Sequence, residues 1–327
     1  MKEAVSAEDP RPTSGPDGAD SAPDRAPHRG PVRPALSRAA HDRDGLRRRA
    51  VQPTLGLDPT TSVLVVTDEY LVPVREVEGR PVLDLRRADT VDADPAEWSY
   101  LGTYSPMTYA MARGGRDLRA DRWLSLRDVG AAVDDLDAGL MVQAVALAQW
   151  HDRSKHCPLC GAVTELRDAG WVRHCPVDAT DIFPRTDPAM IVLVHDGADR
   201  CVLGRQSVWP TDRFSVLAGF VEPGESAEQA VAREVFEEVR LEVTDIRYVT
   251  SQPWPLPQSL MLGFTARVDG DETLVVDQDE IVEAAWFTRA ELRDPDRVRP
   301  KLPPPVSIAY QLISGWLGEE PANPART

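Results

Sequence analysis

The chain has 327 residues, of which 42% are hydrophobic, and its formal net charge is −16. This length predicts two or three domains, and the hydrophobic content is sufficient for real cores. The acidic balance argues against general binding to nucleic acid, and no apolar run approaches the length of a membrane span. We expect no signal peptide. Three of the four cysteines cluster at metal-binding spacing rather than in a disulfide framework, which predicts a reducing compartment and hence a cytoplasmic location.

The N-terminal part of the sequence predicts a disordered tail followed by a small domain. Residues 1–32 are rich in Pro, Ala, Asp, Gly and Arg and have no periodicity, which is typical of disorder. Residues 33–150 are interpreted as a small α+β domain. It opens with a basic segment at residues 33–49, for which two interpretations stay open: an ordinary solvated helix or linker, and an arm that contacts RNA.

Two elements of this domain are predicted by their apolar residues. The apolar run from Ser62 predicts a buried strand. The spacing of apolar residues over residues 134–150 predicts a helix that ends just before a pair of cysteines.

A cysteine-containing module over residues 151–183 follows that helix. Cys157 and Cys160 form one Cys-x-x-Cys pair, and Cys175 begins a second pair in which Asp178 replaces the last cysteine. Two such pairs are typical of a structural zinc site, and a carboxylate oxygen can replace one sulfur. Two interpretations stay open: a zinc site with Asp178 as fourth ligand, and a ribbon-like fold held by packing with three reduced thiols.

The remaining residues, 184–327, are interpreted as one further domain that begins with two strands. The runs at residues 189–195 and 200–205 predict these strands, joined by a turn at Asp196 and Gly197. Cys201 lies in the second strand and is expected to be buried.

An acidic helix lies in the middle of this domain. Ser226 and Gln229 form a capping-box pattern, which predicts that the helix starts at Ser226. Glu234, Glu237 and Glu238 are spaced i, i+3 and i+4, so their carboxylates share one face of the helix. Such a face is stable either in solvent or around a hard divalent cation such as magnesium.

The residues around the helix favour the cation. Gly219 and Gly224 bracket a turn, Glu225 adds a fourth carboxylate, and Arg233 can hold an acidic side chain in place. Together with the acidic helix they resemble the Nudix box, with one departure: Arg240 replaces its last Gly. That Gly suits the left-handed turn that closes the helix, where another residue costs on the order of 1 kcal/mol. We expect the departure to affect local stability rather than chemistry.

A proline-rich segment follows the box at residues 251–259, with the sequence Ser-Gln-Pro-Trp-Pro-Leu-Pro-Gln-Ser. Its three prolines predict a loop with little freedom to be a strand or a helix. The segment is similar to a motif of the NADH pyrophosphatases, the NudC-type branch of the Nudix hydrolase superfamily, and the N-terminal Leu-Ser-Arg resembles actinobacterial members of that branch. Leu256 replaces the Phe usual in the motif, which softens one wall of the expected nucleotide pocket.

The resemblance implies a fold and a set of site residues. The fold is α+β: a Nudix α/β/α sandwich with a mixed sheet, preceded by a zinc-ribbon-like module and a small N-terminal α+β domain. The expected ligands of magnesium or manganese are Glu234, Glu237, Glu238, Glu280 and the carbonyl of Ala218, and the expected zinc ligands are Cys157, Cys160, Cys175 and Asp178. The residues expected to bind substrate are Phe183, Phe220, Gln252, Pro253, Trp254, Pro255, Leu256, Pro257, Gln258, Ser259 and Ala309.

The resemblance also implies the reaction, which is hydrolysis of NADH or NAD+ to AMP and nicotinamide mononucleotide. Water would attack one phosphorus while the metal neutralises the diphosphate oxygens, and Glu237 would either hold a metal or deprotonate the water. Phe220 would stack on the nicotinamide, and Ala309 would contact the nucleotide through its backbone. Two alternatives stay open: removal of an NAD cap from RNA by the same site, and a dinucleotide-binding protein without activity. A homodimer is expected, since it is common in the family.

Overall fold

The computed structural model describes residues 33–51, 55, 58, 60–114, 118–270, 272–276, 278, 280–294 and 299–320. The chain divides into two units, Met1–Gly30 and Pro31–Thr327. The predicted disordered tail at residues 1–32 lies outside the described residues. All elements described below belong to the second unit.

Two small sheets form the N-terminal part of this unit. Their strands are Thr61–Val66 (β1), Val72–Val77 (β2), Arg80–Leu83 (β3), Arg86–Arg87 (β4), Ser99–Tyr104 (β5), Met107–Arg113 (β6) and Arg122–Leu124 (β7). The strand orders are β4-β1-β6-β5 in one sheet and β3-β2-β7 in the other. The predicted buried strand is β1, in which Val63 and Leu64 are fully buried.

Three helices accompany these sheets: Arg48–Val51 (α1), Leu126–Val129 (α2) and Asp135–Arg153 (α3). The helix predicted at residues 134–150 is α3, and Asp134 caps it by accepting a hydrogen bond from the Asp137 N–H. Its residues from Ala138 to Trp150 pack in one core with β1, β5 and β6. Within the described ranges, no helix combines the length and the apolar character that crossing a membrane requires.

The basic segment before β1 makes its contacts inside the protein. Arg38 donates hydrogen bonds to the carbonyl of Gly130 and to the carboxylate of Asp135. The guanidinium of Arg48 lies 3.5 Å from the centre of the Trp171 ring. These contacts favour the interpretation of an ordinary helix and linker over that of an RNA-contacting arm.

A small antiparallel sheet carries the cysteine pairs. Its strands are Glu165–Arg167 (β8), Val172–His174 (β9) and Asp181–Ile182 (β10), in the order β10-β9-β8. The first cysteine pair precedes β8, and the second lies in the turn between β9 and β10. The indole of Trp171 donates a hydrogen bond of 2.7 Å to the Tyr100 carbonyl, which fixes this sheet to β5.

A mixed sheet forms the rest of the unit. Its strands are Asp187–His195 (β11), Arg200–Gln206 (β12), Leu217–Phe220 (β13), Val243–Trp254 (β14), Ser259–Val268 (β15) and Ile281–Thr288 (β16). The order is β14-β15-β11-β12-β16, and β13 pairs with β11. Only the pairing of β11 with β15 is parallel among these described strands. Cys201 in β12 is buried as expected, and burial raises the pKa of its thiol to about 12.

Helices cover both faces of this sheet. They are Ala227–Val239 (α4), Arg289–Arg293 (α5) and Ile308–Leu317 (α6). Because successive side chains of a strand point to opposite faces, β11 contributes to both layers. Its Val192 packs in a cluster with Val231 and Val235 of α4, while Ile191 packs in a cluster with Ile308 of α6. This arrangement is the predicted α/β/α sandwich with a mixed sheet.

The proline-rich segment at residues 251–259 is a β-hairpin, so the prediction of a loop that excludes strand structure is wrong. Residues up to Trp254 belong to β14, and Ser259 begins β15. Pro253 pairs with Leu260 across the hairpin. Since β14 is an edge strand, one side of it needs no ladder hydrogen bonds and proline is tolerated. The hairpin fixes Trp254 opposite Ser259.

Helix α4 begins and ends as predicted. Ser226 is its N-cap and exchanges both hydrogen bonds of a capping box with Gln229. Arg240 closes the helix in the left-handed conformation, with φ 58° and ψ 29°. Its N–H donates to the Phe236 carbonyl at 3.0 Å, and its guanidinium lies 5.2 Å from the centre of the Phe236 ring.

Replacing Arg240 with glycine is expected to give a more stable protein than replacing it with alanine. Both variants lose the contact with Phe236, and they differ only in the Cβ atom, which costs about 1 kcal/mol in the left-handed region. Chemical denaturation should therefore give Arg240→Gly the higher free energy of unfolding by about that amount. Equal values for the two variants would contradict the left-handed conformation of this residue.

Candidate active site

Two buried carboxylates of α4 and one carboxylate beside β16 form a cluster. Glu234 and Glu238 are one helical turn apart and are 9% and 2% exposed. One carboxylate oxygen of each, and one of the exposed Glu280, all lie within 4.8 Å of one another. Burial raises the pKa of Glu234, because desolvation disfavours the ionised form. Three carboxylate oxygens at this separation fit a hard divalent cation, which would offset that cost.

Strand β13 passes so close to the cluster that position 219 has no room for a side chain. A Cβ atom on Gly219 would lie 2.0 Å from the carboxyl carbon of Glu234. The prediction placed Gly219 in a turn, whereas it lies in β13, and only Gly224 has the positive φ (99°) of a turn glycine. Ala218, whose carbonyl is an expected ligand, adjoins Gly219 in the strand. The absence of a side chain at Gly219 therefore leaves the space beside the sheet that the Glu234 carboxylate occupies.

Arg233 binds the other acidic residues of the box, as its position in the motif suggests. Its guanidinium donates to the two oxygens of Glu225 at 2.6 and 3.2 Å and to the Phe220 carbonyl at 3.0 Å. It also lies 3.0 Å from Glu234 Oε1 and donates to Glu237 at 3.1 Å. The hydrogen bond from Arg233 holds the pKa of Glu225 below its usual value. In this structure Glu237 therefore contacts Arg233 and stands outside the carboxylate cluster.

A cleft of about 260 Å³ opens beside the carboxylates. Ala218 and Glu238 line it together with Trp254 of the proline hairpin. Ser307 and Ile308, at the start of α6, line it as well. The fold thus joins the acidic motif and the tryptophan motif, which are separate in sequence, around one space.

The cleft residues that the sequence did not indicate include Arg127, Trp209 and Arg213. Arg127 lies in α2, far from the box in sequence, and the other two lie in the connection between β12 and β13. Their local sequence contains no periodicity or spacing that indicates a site. Only the tertiary fold brings them together.

The side-chain amides of the proline hairpin form hydrogen bonds within the protein. Gln252 is fully buried: its side-chain oxygen accepts from the Leu36 N–H at 3.3 Å, and its side-chain nitrogen donates to the Val306 carbonyl at 3.1 Å. Gln258 donates to Asp187 at 2.6 Å. These contacts hold the hairpin in place, and the contact of the two amides with substrate stays a prediction.

Residues 255–257, which follow Trp254, do not line the cleft. Pro255 is buried, and its carbonyl accepts a hydrogen bond from Gln149. Leu256 is half-buried and Pro257 is exposed at the hairpin tip. Of residues 251–259, all of which the structure describes, Trp254 alone lines the cleft.

The remaining predicted substrate contacts lie at the edge of the site. Phe183 and Phe220 do not line the cleft, and their side chains are 61% and 59% exposed, so both rings are accessible to a ligand. Ala309 is buried, and its N–H donates to the Ser307 hydroxyl at 3.2 Å as part of the cap of α6. The contact of Ala309 with the nucleotide stays a prediction, and Ser307 and Ile308 form the cleft wall there.

The four expected zinc ligands lie together in the ribbon. One donor atom each of Cys157, Cys160, Cys175 and Asp178 lies within 4.8 Å of the other three. The sulfurs of Cys160 and Cys175 are 3.4 Å apart, and Asp178 Oδ2 lies 3.1 Å from Cys157 Sγ. A set of three sulfurs and one oxygen at these distances fits tetrahedral coordination of zinc. The geometry favours the zinc site over a ribbon held by packing alone.

The two turns that carry the expected zinc ligands have the same backbone hydrogen bond. The N–H of Gly161 donates to the Cys157 carbonyl at 2.9 Å, and the N–H of Ala179 donates to the Cys175 carbonyl at 3.0 Å. Gly161 and Ala179 both have positive φ, 75° and 60°. Asp178 therefore occupies, in the second turn, the position that the second cysteine occupies in the first.

Zinc retention tests the role of Asp178. Asp178→Ala is expected to weaken zinc binding by at least about tenfold, because the site loses one of its donors, whereas Asp178→Cys should keep the metal. Competition with a chelator followed by metal analysis measures this difference. Glu165→Ala, at an exposed ribbon residue, is the control. If Asp178→Ala retains zinc as well as the control does, Asp178 is not a ligand.

Two known protein families match this chain, one over the carboxylate cleft and one over the cysteine ribbon. Residues 185–306 match the NUDIX domain, and residues 152–183 match the NADH pyrophosphatase zinc ribbon domain. The first match contains the carboxylate cluster and the cleft tryptophan, and the second contains all four zinc-ligand candidates.

Similar proteins include the NAD-capped RNA hydrolase NudC of Mycobacterium bovis and that of Mycobacterium tuberculosis. Each is 41% identical over 298 residues, which are 86% of this chain and 94% of the relative. The human NAD-capped RNA hydrolase NUDT12 is 40% identical over 201 residues, covering 57% of this chain and 43% of the relative. A NUDIX hydrolase structure from Nitrosomonas europaea aligns with a TM-score of 0.37 and 23% identity, over 42% of this chain and 79% of that one.

The extent of these matches decides the family. The alignment with the mycobacterial relatives runs through the N-terminal part, the ribbon and the mixed sheet, because it covers 86% of this chain. The likeness is therefore not confined to the Nudix box. The chain belongs to the Nudix hydrolase superfamily and, within it, to the NudC-type branch that carries the NADH pyrophosphatase zinc ribbon.

Proposed function

We propose that this enzyme hydrolyses the diphosphate bond of NADH and NAD+ to give AMP and nicotinamide mononucleotide. The observation that carries the proposal is the cleft that Glu238 of the carboxylate cluster and Trp254 of the hairpin both line. A metal ion held by the carboxylates would bind the charged diphosphate, and the indole offers a flat apolar surface on which a base can stack. The names of the mycobacterial relatives refer to NAD-capped RNA, which supports a substrate with an NAD moiety.

Magnesium or manganese would be held by the carboxylates of Glu234, Glu238 and Glu280, with the Ala218 carbonyl as a further ligand. The support is the separation of the three carboxylates and the room that Gly219 leaves beside them. A bound ion of this kind neutralises diphosphate oxygens and lowers the pKa of the attacking water. Without it, the same three carboxylates would repel the substrate.

Glu237 is proposed either to take the proton of the attacking water or to add a metal contact. Its side chain is 53% exposed, and an exposed carboxylate can pass a proton to solvent, as a general base must after each turnover. Arg233 orients it by a hydrogen bond of 3.1 Å. The same arginine contacts Glu234, so it keeps the two carboxylates in a fixed relation.

The aromatic residues are proposed to bind the dinucleotide. Trp254 forms a wall of the cleft, and Phe220, which adjoins Gly219 in β13, would stack on the nicotinamide. Phe183 offers a second exposed ring for a base. The other hairpin residues act by positioning Trp254: Gln252, Pro253, Pro255, Leu256, Pro257, Gln258 and Ser259. Ala309 is proposed to position Ser307, because its N–H donates a hydrogen bond to the Ser307 hydroxyl.

A second candidate function is removal of the NAD cap from RNA, which the names of the relatives favour. Capped RNA carries the same dinucleotide at its 5′ end, so the same cleavage releases nicotinamide mononucleotide and leaves a 5′ monophosphate. Comparing kcat/KM for NADH, NAD+ and NAD-capped RNA ranks the substrates. The intact carboxylate cluster argues against a binding protein without activity.

We also propose a cytoplasmic homodimer whose chain is organised as an N-terminal domain at residues 33–150, a zinc ribbon at 151–183 and a Nudix domain at 184–327. The clustered cysteines support a reducing compartment. Sedimentation that gives only monomer at micromolar concentration would reject the homodimer.

Product analysis tests the proposed reaction. The protein is incubated with NADH and magnesium or manganese, and the nucleotides are separated by chromatography. We expect AMP and reduced nicotinamide mononucleotide in equal amounts. Release of nicotinamide with ADP-ribose would indicate cleavage of a different bond, and a bound but unchanged dinucleotide would support a binding protein instead.

A further inference from the structure

A buried arginine lines a second depression, which lies beside the cysteine ribbon. The depression has a volume of about 520 Å³, and the residues that line it include Arg173 of β9, Val163 and Thr164 before β8, Lys155 and Glu97. Arg173 is only 7% exposed, whereas Val163, Lys155 and Glu97 are exposed around it. No residue of the carboxylate cluster or of the proline hairpin, all of which the structure describes, lines this depression. It is therefore separate from the cleft.

Two neutral acceptors hold the guanidinium of Arg173. Its Nε donates to His151 Nδ1 at 3.1 Å, and its Nη1 donates to the Thr164 hydroxyl at 3.1 Å. Burial, followed by the charge of Arg173, lowers the pKa of His151 to about 3, so the imidazole is neutral at neutral pH. The Thr164 hydroxyl in turn donates to the Ser154 carbonyl at 2.8 Å. The two contacts therefore orient the guanidinium without neutralising its charge.

The third nitrogen of this guanidinium, Nη2, is the one left for a ligand. Within the described ranges of the chain it has no hydrogen-bond partner. It is not enclosed by protein atoms, in contrast to the unpartnered Nε of Arg48. Because Arg173 lines the depression, Nη2 is open to it. Its N–H groups can therefore donate to a ligand that enters the depression.

The carboxylates near Arg173 do not pair with it. Asp152 forms an ion pair of 3.0 Å with Arg113 instead. Glu97 and Glu165 line the depression, but both are exposed to water. Among the residues that the structure describes, none forms an ion pair with the Arg173 guanidinium. A buried charge is normally paired, because burial removes its hydration, so this arginine has an unmet need for an anion.

We propose that this depression binds a small oxyanion of the phosphate class, with Arg173 Nη2 as its central donor. Lys155 at the rim adds a second positive charge, since its exposed ion pair with Asp152 holds it only weakly. Glu97 and Glu165 keep the field of the depression from being strongly positive, so the anion is bound by the oriented N–H groups of the guanidinium. The site does not depend on the function proposed above. Two sources share this chemistry: the free ion and the phosphate of a nucleotide.

Calorimetric titration of the full chain with inorganic phosphate tests the site. The buffer contains no magnesium or manganese, and chloride keeps the ionic strength constant so that screening does not change. We expect saturable binding to the wild-type protein with a Kd of about 1 mM or tighter. Val163→Glu places a carboxylate at the rim of the depression, at a side chain that is 67% exposed and so outside the core. It should weaken phosphate binding at least about tenfold, because the new charge repels the anion and attracts Arg173.

The matched control is Val275→Glu, at an exposed valine that lines neither the depression nor the cleft. It should bind phosphate as the wild-type protein does. Arg173→Lys keeps the charge but removes Nη2, and it should lose most of the affinity; circular dichroism confirms that each variant is folded. Phosphate that binds only in the cleft would give the two glutamate variants equal affinities. That result, or no saturable binding to the wild-type protein, would overturn the proposal.

The same pair of variants distinguishes the two sources of phosphate. Titration with AMP is compared between Val163→Glu and Val275→Glu, so that any binding in the cleft is common to both. A loss of AMP affinity in Val163→Glu as large as its loss of phosphate affinity indicates that the site accepts the phosphate of a nucleotide. Equal AMP affinities, together with the expected loss for phosphate, indicate a site limited to the free ion. Both outcomes support an oxyanion site at Arg173.

Discussion

Glu238→Gln is expected to reduce NADH hydrolysis by about a thousandfold or more, which corresponds to roughly 4 kcal/mol of transition-state stabilisation. Glu238 is 2% exposed, and its carboxylate lies within 4.8 Å of carboxylate oxygens of Glu234 and Glu280. Glutamine has nearly the same shape but no charge. The metal site would therefore lose one of its ionic ligands while the packing of α4 is preserved.

The measurement is kcat/KM for NADH at saturating magnesium, together with thermal unfolding of each protein. Glu228→Gln is the matched control, because it removes an exposed carboxylate from the first turn of the same helix. It should retain wild-type activity. A folded Glu238→Gln protein with wild-type turnover would exclude Glu238 from the metal site.

Gly219→Ala is expected to reduce activity at least about a hundredfold through its effect on a carboxylate that it does not replace. The added Cβ would lie 2.0 Å from the carboxyl carbon of Glu234, a distance that neither side chain tolerates. The Glu234 carboxylate must then leave its present position in the cluster. Displacement of a reacting group by about 1 Å is enough for a loss of this size.

A double variant separates this effect from general damage. If Gly219→Ala acts through Glu234, adding it to Glu234→Gln should cause little further loss, because residues acting through one group are not additive. Gly45→Ala is the control for a glycine with space, since the closest atom to its added Cβ would be 3.6 Å away. Full activity in a folded Gly219→Ala protein would contradict the position of Glu234 beside β13.

Local rules predicted the acidic helix well. The capping box at Ser226, the shared face of Glu234 and Glu238, and the left-handed residue at Arg240 all depend on neighbours within one or two helical turns. Glu280 was different, since only the resemblance to the family indicated it. Its approach to α4 depends on the pairing of β16 with β12, which no local pattern encodes.

The errors arose where tertiary position overrides local preference. Pro253 was taken to exclude a strand, but an edge strand accepts it. The motif also gave no sign that the amide of Gln252 joins the hairpin to Leu36 and Val306. The motif therefore identified a segment that reaches the cleft, but it did not show that Trp254 is the residue of that segment that lines it.

Two arginines of the cleft were not predicted for the same reason. Arg127 and Arg213 belong to segments far apart in sequence, and each is unremarkable alone. They line one cleft because the fold brings α2 beside the connection between β12 and β13.

Hydrolysis of NADH in water labelled with heavy oxygen tests the central claim most directly. Because water attacks one phosphorus of the diphosphate, each turnover should place one labelled oxygen in the phosphate of a single product, either AMP or reduced nicotinamide mononucleotide. Mass spectrometry of the two nucleotides locates the label. Label in a ribose hydroxyl, or no turnover with either magnesium or manganese, would contradict a metal-assisted diphosphate hydrolase built on Glu234, Glu238 and Glu280.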